Sequence, residues 1–168
     1  MDQVAREAEQ REATAGAPEG PLLQVLVVED DFGDLALVEN AFDEHSIRSE
    51  LHHVGDGSEA LAFLRREGAH RDAPRPDLIL LDLNMPRVDG RQALAEIKAD
   101  PVLKSIPTIV FTTSSLDSDV IASYSRHANA YITKPIDLDD YERVVMAIRN
   151  FYGHLAVLPR RSPDQPTF

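Results

Sequence analysis

The sequence predicts a doubly wound α/β fold, in which helices cover both faces of a parallel β-sheet. Short apolar segments of strand length alternate along the chain with longer segments in which apolar residues recur at helical spacing. The short segments are continuously apolar, as expected for strands that are buried on both faces of a sheet. Parallel strands of this kind need crossover connections, and the helical segments provide them.

The five predicted strands are rich in Val, Ile, Leu and aromatic residues. They cover residues 24–28, 50–54, 77–81, 108–111 and 130–132. The second of them is the weakest. Apolar residues at helical spacing occupy 35–42, 60–64, 93–97, 120–124 and 138–151. One helix follows each strand, so five strands alternate with five helices.

The predicted domain occupies residues 22–153 and is flanked by two terminal segments. Residues 1–21 contain few large apolar side chains and end in a cluster of Pro and Gly, which predicts a flexible tail. Residues 154–168 are predicted to be an extension that belongs partly to an interface. Its last part contains three prolines and is predicted to be a disordered tail.

The composition excludes several classes of function. The 168 residues include 17 Lys and Arg against 29 Asp and Glu, a formal net charge of −12. Such a chain is repelled by phosphate backbones and anionic lipids, so we expect neither nucleic acid nor a membrane as partner. The absence of Cys excludes disulfides and thiolate sites and suits a reducing compartment. With neither a membrane-spanning run nor a secretory signal in the sequence, we expect a cytoplasmic protein.

Polar side chains follow four of the predicted strands: Glu29 and Asp30, Asp82 and Asn84, Thr112, and Lys134. Ligands of doubly wound sheets bind at the carboxyl ends of the strands. Carboxylates from two neighbouring strands repel each other unless a cation neutralises them. Mg²⁺ is the expected cation, because it prefers oxygen ligands and keeps several waters. Glu29, Asp30, Asp82 and the carbonyl of Asn84 could provide the protein ligands.

A carboxylate in such a site can act as the nucleophile of phosphoryl transfer and form an aspartyl phosphate. Asp82, at the end of the central strand, is the best candidate for this nucleophile. Lys134 would supply a compact positive charge, and the Thr112 hydroxyl can donate a hydrogen bond to a phosphoryl oxygen.

Four segments together resemble a response-regulator receiver domain. They are VVEDD at 27–31, ILLDLNMPRVDG at 79–90, PTIVFTTS at 107–114 and YITKP at 131–135. Each segment alone is weak evidence, but the four occur in order and each lies at a strand end. The resemblance covers about residues 24–151 and implies a flavodoxin-like sheet with strand order 2-1-3-4-5.

The resemblance also implies a role for individual residues. Asp82 is the phosphoacceptor, Glu29 and Asp30 are the acidic metal pair, and the Asn84 carbonyl completes the metal site. Thr112 and Lys134 bind the phosphoryl group. Tyr131 is the aromatic switch residue whose rotamer couples to Thr112, and the Lys134–Pro135 bond is expected to be cis. Glu29 departs from the commonest pattern, in which Asp is frequent at this position.

A narrower similarity concerns single-domain regulators that partner phytochrome-type histidine kinases. It is carried by LDLN at 81–84, IKADP at 97–101, FTTS at 111–114 and the aromatic end of the last helix. The similarity implies transfer of a phosphoryl group from a sensor histidine kinase, in a reaction that depends on Mg²⁺ and for which Mn²⁺ could substitute. The protein would then signal through a conformational change and contacts with other proteins, and it would not be a turnover enzyme.

The last predicted helix has an apolar face wider than sheet packing requires. We predict a homodimer interface there, formed by Tyr141, Val145, Ile148, Phe151, Tyr152 and Leu155. The alternative interpretation is a long core helix.

Other interpretations of these residues remain open. The acidic run 29–31 could be a solvated turn that caps a helix, and the loop 112–115 could merely cap the helix near Asp117. A phosphohydrolase would use the same intermediate, but such enzymes usually have a second Asp two residues after the nucleophile, where this chain has Asn84. A phosphate sink or relay intermediate without its own output is the third possibility.

Overall fold

Five parallel strands form one sheet in the order β2-β1-β3-β4-β5, which confirms the predicted class and strand order. The strands are β1 (Leu23–Val28), β2 (Ser49–Val54), β3 (Leu78–Leu81), β4 (Thr108–Thr112) and β5 (Ala130–Thr133). The computed structural model describes residues 22–43 and 47–159. The predicted tail at 1–21 and the end of the C-terminal extension therefore lie outside the described residues.

All five predicted helices are present. They are α1 (Phe32–Phe42), α2 (Gly57–Arg65), α3 (Gly90–Ala99), α4 (Asp117–Ser125) and α5 (Leu138–Asn150). A short 3₁₀ turn spans Gly68–His70, and a π-helical turn, Phe151–Leu155, directly continues α5. No helix in the described ranges has the length and hydropathy needed to cross a bilayer.

Alternate residues of the central strands enter different cores on the two faces of the sheet. Leu26 and Ile79 pack in one buried cluster with residues of α2 and α3, whereas Val27 and Leu80 pack in another with residues of α1 and α5. Because both faces are covered, both sets of side chains must be apolar. This is the physical reason for the continuously apolar strands in the sequence.

Aspartates cap four of the five helices. Asp31, Asp56, Asp89 and Asp137 precede α1, α2, α3 and α5, and each side chain accepts a backbone N–H bond from the first turn. In α4 the N-cap position is Leu116, with no side-chain cap. The interpretation of the loop 112–115 as a mere helix cap is therefore not supported.

The expectation of a cis Lys134–Pro135 bond is wrong, because the described residues contain no cis peptide bond. The trans isomer is intrinsically favoured at X–Pro bonds by about 0.5–1 kcal/mol. From the trans chain the Lys134 ammonium still reaches carboxylates at the ends of β1 and β3.

Part of the predicted dimer interface lies inside the chain's own core. Tyr141, Val145 and Ile148 are buried against the sheet, and the Tyr141 ring packs on Phe111 with centroids 5.2 Å apart. These three side chains face the sheet because α5 must cover it, so they are unavailable to a partner. Of the other predicted interface residues, Phe151 and Leu155 are exposed and Tyr152 is half-buried.

Candidate functional site

Three carboxylates converge at the carboxyl edge of the sheet. One carboxylate oxygen from each of Glu29, Asp30 and Asp82 lies within 4.8 Å of the other two. Glu29 and Asp82 are buried, whereas Asp30 is exposed. The predicted acidic residues are thus brought together, with one side open to solvent.

Backbone pairing continues past the strands and fixes the positions of these acids. The N–H of Asp82 donates to the Val28 carbonyl at 3.0 Å, and the N–H of Glu29 donates to the Val54 carbonyl at 3.1 Å. Each residue therefore remains part of the sheet ladder although its side chain is at the edge. A rigid scaffold of this kind holds both carboxylates in one orientation.

Lys134 contacts three carboxylates, two of which belong to this acidic cluster. Its Nζ is 2.5 Å from Oε2 of Glu29, 2.7 Å from Oδ2 of Asp34 and 3.1 Å from Oδ2 of Asp82. Its backbone N–H donates to the Thr112 carbonyl at 2.8 Å, which anchors the lysine to β4. One ammonium among three contacting carboxylates leaves a formal excess of negative charge that a further cation would offset.

The pKa values of Glu29 and Lys134 are both raised, but for different reasons. Burial raises the pKa of the Glu29 carboxyl, and the Lys134 ammonium counteracts this effect only in part. For Lys134 burial acts to lower the pKa, but hydrogen bonds to Asp34 and Glu29 outweigh it and hold the pKa above its ordinary value. Lys134 is therefore a permanent cation near neutral pH.

The donor set suits a hard divalent cation. Mg²⁺ takes oxygen ligands at about 2.0–2.1 Å, so opposite ligands of one ion lie ~4 Å apart. The spacing of the Glu29, Asp30 and Asp82 oxygens, within 4.8 Å, is close to that span. The second oxygen of Asp82, Oδ1, accepts the backbone N–H of Asn84 at 3.0 Å, which fixes the carboxylate plane.

Thr112 and Tyr131 both bond to Ser114. Thr112 is fully buried at the end of β4, and its hydroxyl accepts the Ser114 N–H at 3.4 Å. The Tyr131 hydroxyl donates to the Ser114 carbonyl at 2.9 Å, with the ring half-buried against the core. The predicted phosphoryl-binding and switch residues are thus connected through Ser114.

Several other residues of the site were missed in the sequence. Asp34 contacts Lys134 from the first turn of α1, and the Nε2 atom of His53 lies 2.7 Å from the Glu29 carbonyl. The signal for Asp34 is its position three residues after the N-cap Asp31, which places it in the first turn of the helix that begins at this edge of the sheet. His53, one of two adjacent histidines on β2, carries no comparable signal.

Gly90, the first residue of α3, lies close against the backbone of the nucleophile candidate. A Cβ atom at this position would lie 2.0 Å from the carbonyl oxygen of Asp82. The N-terminus of α3 therefore packs directly on the Asp82 backbone, and only glycine allows this.

The acidic run 29–31 serves two purposes. Asp31 is an N-cap, because one of its oxygens accepts the N–H groups of Gly33 and Asp34 at 2.7 and 2.9 Å. Glu29 turns inward to Lys134 instead. The capping interpretation holds for Asp31 but does not extend to Glu29.

Comparisons with known proteins agree on the kind of domain. The family model of the response regulator receiver domain matches residues 25–146. The response regulator Rcp1 of Synechocystis is 47% identical over 135 residues, which cover 80% of this chain and 92% of Rcp1.

Solved structures give the same result. The Mn²⁺-bound form of Rcp1 superposes with a TM-score of 0.80 at 46% identity, covering 82% of this chain and 99% of that one. The phosphorylated cyanobacterial phytochrome response regulator RcpA gives 0.81 at 44% identity, covering 83% and 100%. The bacteriophytochrome response regulator RtBRR gives 0.66 at 37% identity, covering 85% and 86%.

Proposed function

The chain belongs to the response regulator receiver domain family, and from this premise we propose that Asp82 accepts a phosphoryl group from a phosphohistidine of a phytochrome-type sensor kinase. The observation that carries the proposal is the buried Asp82 carboxylate, held between the acids Glu29 and Asp30 and the ammonium of Lys134. A nucleophile between a cation site and a fixed cation is the arrangement that phosphoryl transfer requires.

In the proposed reaction an oxygen of Asp82 attacks phosphorus while the bond from phosphorus to the histidine nitrogen breaks. The product is an acyl phosphate on Asp82, and the imidazole leaves with the electron pair of the broken bond. Lys134 and the Thr112 hydroxyl donate hydrogen bonds to the phosphoryl oxygens. To donate to the phosphoryl group, the Lys134 ammonium must give up part of its hydrogen bonding to Glu29 and Asp34.

Glu29, Asp30 and Asp82, with the Asn84 carbonyl, would hold a divalent cation. When bound, that cation offsets the negative charge of the carboxylates and of the incoming phosphoryl group. We propose Mg²⁺ as the ion used, with Mn²⁺ able to substitute; the Mn²⁺-bound form of Rcp1 supports a divalent site in a similar domain.

The proposed partner is a histidine kinase of phytochrome type. RcpA and RtBRR are both described as phytochrome response regulators, and this chain is 44% and 37% identical to them. A partner of this class, the acidic composition and the lack of Cys together support a cytoplasmic location. We propose that the chain is an acceptor of phosphoryl groups and not a turnover enzyme. The phosphohydrolase alternative is not favoured, because Asn84 cannot serve as its general acid.

A homodimer is proposed through a smaller surface than the sequence predicted. The π-helical turn after α5 exposes Phe151 and Leu155, with Leu155 75% exposed. The turn packs closely on the body of the domain, since a Cβ on Gly153 would lie 2.7 Å from the Ile47 side chain. We propose that Phe151, Tyr152 and Leu155 form the apolar centre of the contact.

The test is phosphoryl transfer from purified, autophosphorylated kinases in the presence of Mg²⁺. A phytochrome-type kinase is expected to label this chain within seconds to minutes, and an unrelated histidine kinase at equal concentration is expected to label it far more slowly. Equal labelling by both kinases would contradict the proposed partner. No labelling by any histidine kinase would contradict the proposed function.

A further inference from the structure

Arg91, near the start of α3, binds Asp119 of α4 through two hydrogen bonds. Its Nε lies 2.8 Å from Oδ1 of Asp119, and its Nη2 lies 2.6 Å from Oδ2. Asp119 is buried, and the adjacent guanidinium lowers the pKa of its carboxyl group to about 2. Two parallel charge-assisted bonds hold both partners in a fixed orientation. Arg91 therefore connects α3 to α4.

Ser114 connects this ion pair to the two residues proposed for the switch. Its hydroxyl donates to Oδ2 of Asp119 at 2.6 Å. Its carbonyl accepts the Tyr131 hydroxyl at 2.9 Å, and its N–H donates to the Thr112 hydroxyl at 3.4 Å. Every polar group of Ser114 is thus used, and the position of the Tyr131 acceptor depends on the Asp119 carboxylate.

The guanidinium of Arg91 also reaches the loop that follows Asp82. Its Nη1 lies 3.5 Å from the Leu83 carbonyl, and its Nη2 lies 3.5 Å from Oδ1 of Asn84. Arg91 therefore contacts the loop of the phosphoacceptor directly and, through Asp119, the loop after β4. The two loops come from neighbouring strands of the sheet.

We propose that Arg91 and Asp119 are positioning residues that couple phosphorylation of Asp82 to Tyr131 by holding Ser114 in place. The proposal rests on the function proposed above, since it requires a phosphorylated Asp82. Tyr131 is half-buried, so a displaced Ser114 leaves its hydroxyl without its acceptor at a cost in free energy. A bidentate pair is either formed or broken, which gives the coupling a two-state element.

The experiment is fluorine NMR on the full chain labelled with fluorotyrosine. The chain has four tyrosines, so the spectrum is simple, and Tyr131→Phe identifies the resonance of Tyr131. Spectra are recorded with Mg²⁺ before and after addition of acetyl phosphate as phosphoryl donor. The intact mass of each sample reports uptake of the phosphoryl group independently.

In the wild type, phosphorylation is expected to shift the Tyr131 resonance. In Arg91→Gln and in Asp119→Asn, uptake is expected to persist, while the Tyr131 shift falls to about half or less, because the coupling passes through this pair. Arg91→Lys keeps the charge but loses the parallel bonds, and an intermediate shift is expected. Arg143→Gln breaks an exposed pair with Asp140 and is expected to match the wild type.

A full wild-type shift of the Tyr131 resonance in both Arg91→Gln and Asp119→Asn would overturn the proposal. A wild type that takes up the phosphoryl group without any Tyr131 shift would overturn it as well. Failure of the proposed function is distinguishable, because the wild type then gains no mass. If Arg91→Gln and Asp119→Asn do not fold, Ser114→Ala takes their place, since it removes the bond to Asp119 and keeps the carbonyl that accepts from Tyr131. A reduced Tyr131 shift is then expected, and a full wild-type shift would overturn the proposal.

Discussion

The Nζ atom of Lys134 lies 3.1 Å from Oδ2 of Asp82, although 52 residues separate them in the chain. The same ammonium contacts Glu29 at the end of β1 and Asp34 in α1. One cation therefore connects the ends of three strands and the first turn of a helix. Lys134 stabilises the edge of the sheet as well as supplying charge to the proposed reaction.

Replacement of Lys134 by Met should destabilise the protein in the absence of metal. Removing one partner of a buried ion pair costs about 3–5 kcal/mol, because the carboxylates of Glu29 and Asp82 remain buried without a counter-charge. Urea unfolding measures the free energy, and added Mg²⁺ is expected to restore part of it. The variant should still bind Mg²⁺ but fail to switch when phosphorylated.

The control for this variant is Arg143→Met, which breaks the exposed pair of Arg143 with Asp140. Exposed pairs contribute at most about 1 kcal/mol. Equal destabilisation by the two substitutions would show that Lys134 has no special role at the sheet edge.

Replacement of Gly90 by Ala should disrupt the site through a clash between the start of α3 and the Asp82 backbone. The new Cβ would lie 2.0 Å from the Asp82 carbonyl oxygen, so the start of α3 must move away from the strand end. We expect a loss of stability of about 3 kcal/mol, at the upper end for overpacking, together with loss of phosphoryl uptake. Gly55→Ala is the matched control, since its Cβ would be 3.8 Å from the nearest atom, an oxygen of Glu59. Similar melting temperatures for the two variants would contradict the close approach.

Lys98 should make stability depend on pH in the alkaline range. Its ammonium donates to the carbonyls of Lys104 and Ile106 and to Oδ1 of Asn129, and burial lowers its pKa from 10.5 to about 8. Between these values the unfolded chain binds the proton and the folded chain does not. The free energy of unfolding should therefore rise with pH from about 8 to 10.5.

The measurement compares wild type with Lys98→Met by urea unfolding across that range. The stability of the wild type relative to the variant should increase as pH rises. Lys104→Met, at an exposed position, should leave the pH slope unchanged. Parallel pH profiles for wild type and Lys98→Met would contradict the lowered pKa of Lys98.

The double substitution Phe151→Ser, Leu155→Ser should weaken the proposed dimer. Both side chains are exposed on the π-helical turn, so their replacement removes apolar contact area without opening the core. Light scattering is expected to give the mass of two chains for the wild type and of one chain for the variant. Ile121→Ser, at a 66% exposed position on α4, serves as control. A variant as large as the wild type would contradict this interface.

The fold was predictable because the sheet is covered on both faces. Both Leu26 and Val27 had to be apolar, so β1 could be recognised without knowledge of its neighbours. Every strand boundary was predicted to within one residue, since polar or turn-forming residues follow each strand. The interface prediction failed for Tyr141, Val145 and Ile148, because a wide apolar helix face looks the same whether it covers a sheet or a partner.

The candidate site was predictable only where residues directly follow strands. Asp82 and Lys134 have this position, and strand order then brings them together. Asp34, Arg91 and Asp119 lie within helices, and their contacts depend on how the helices pack, which no local pattern encodes. The isomer of the Lys134–Pro135 bond likewise depends on the folded environment.

Transfer of a radiolabelled phosphoryl group from an autophosphorylated phytochrome-type kinase, with Mg²⁺ present, tests the central claim most directly when wild type is compared with Asp82→Asn. Asp77→Asn is the matched control, because Asp77 precedes the same strand at the opposite edge of the sheet. We predict labelling of the wild type and of Asp77→Asn but none of Asp82→Asn. Labelling of Asp82→Asn to the level of the wild type would contradict the assignment of Asp82 as the phosphoacceptor.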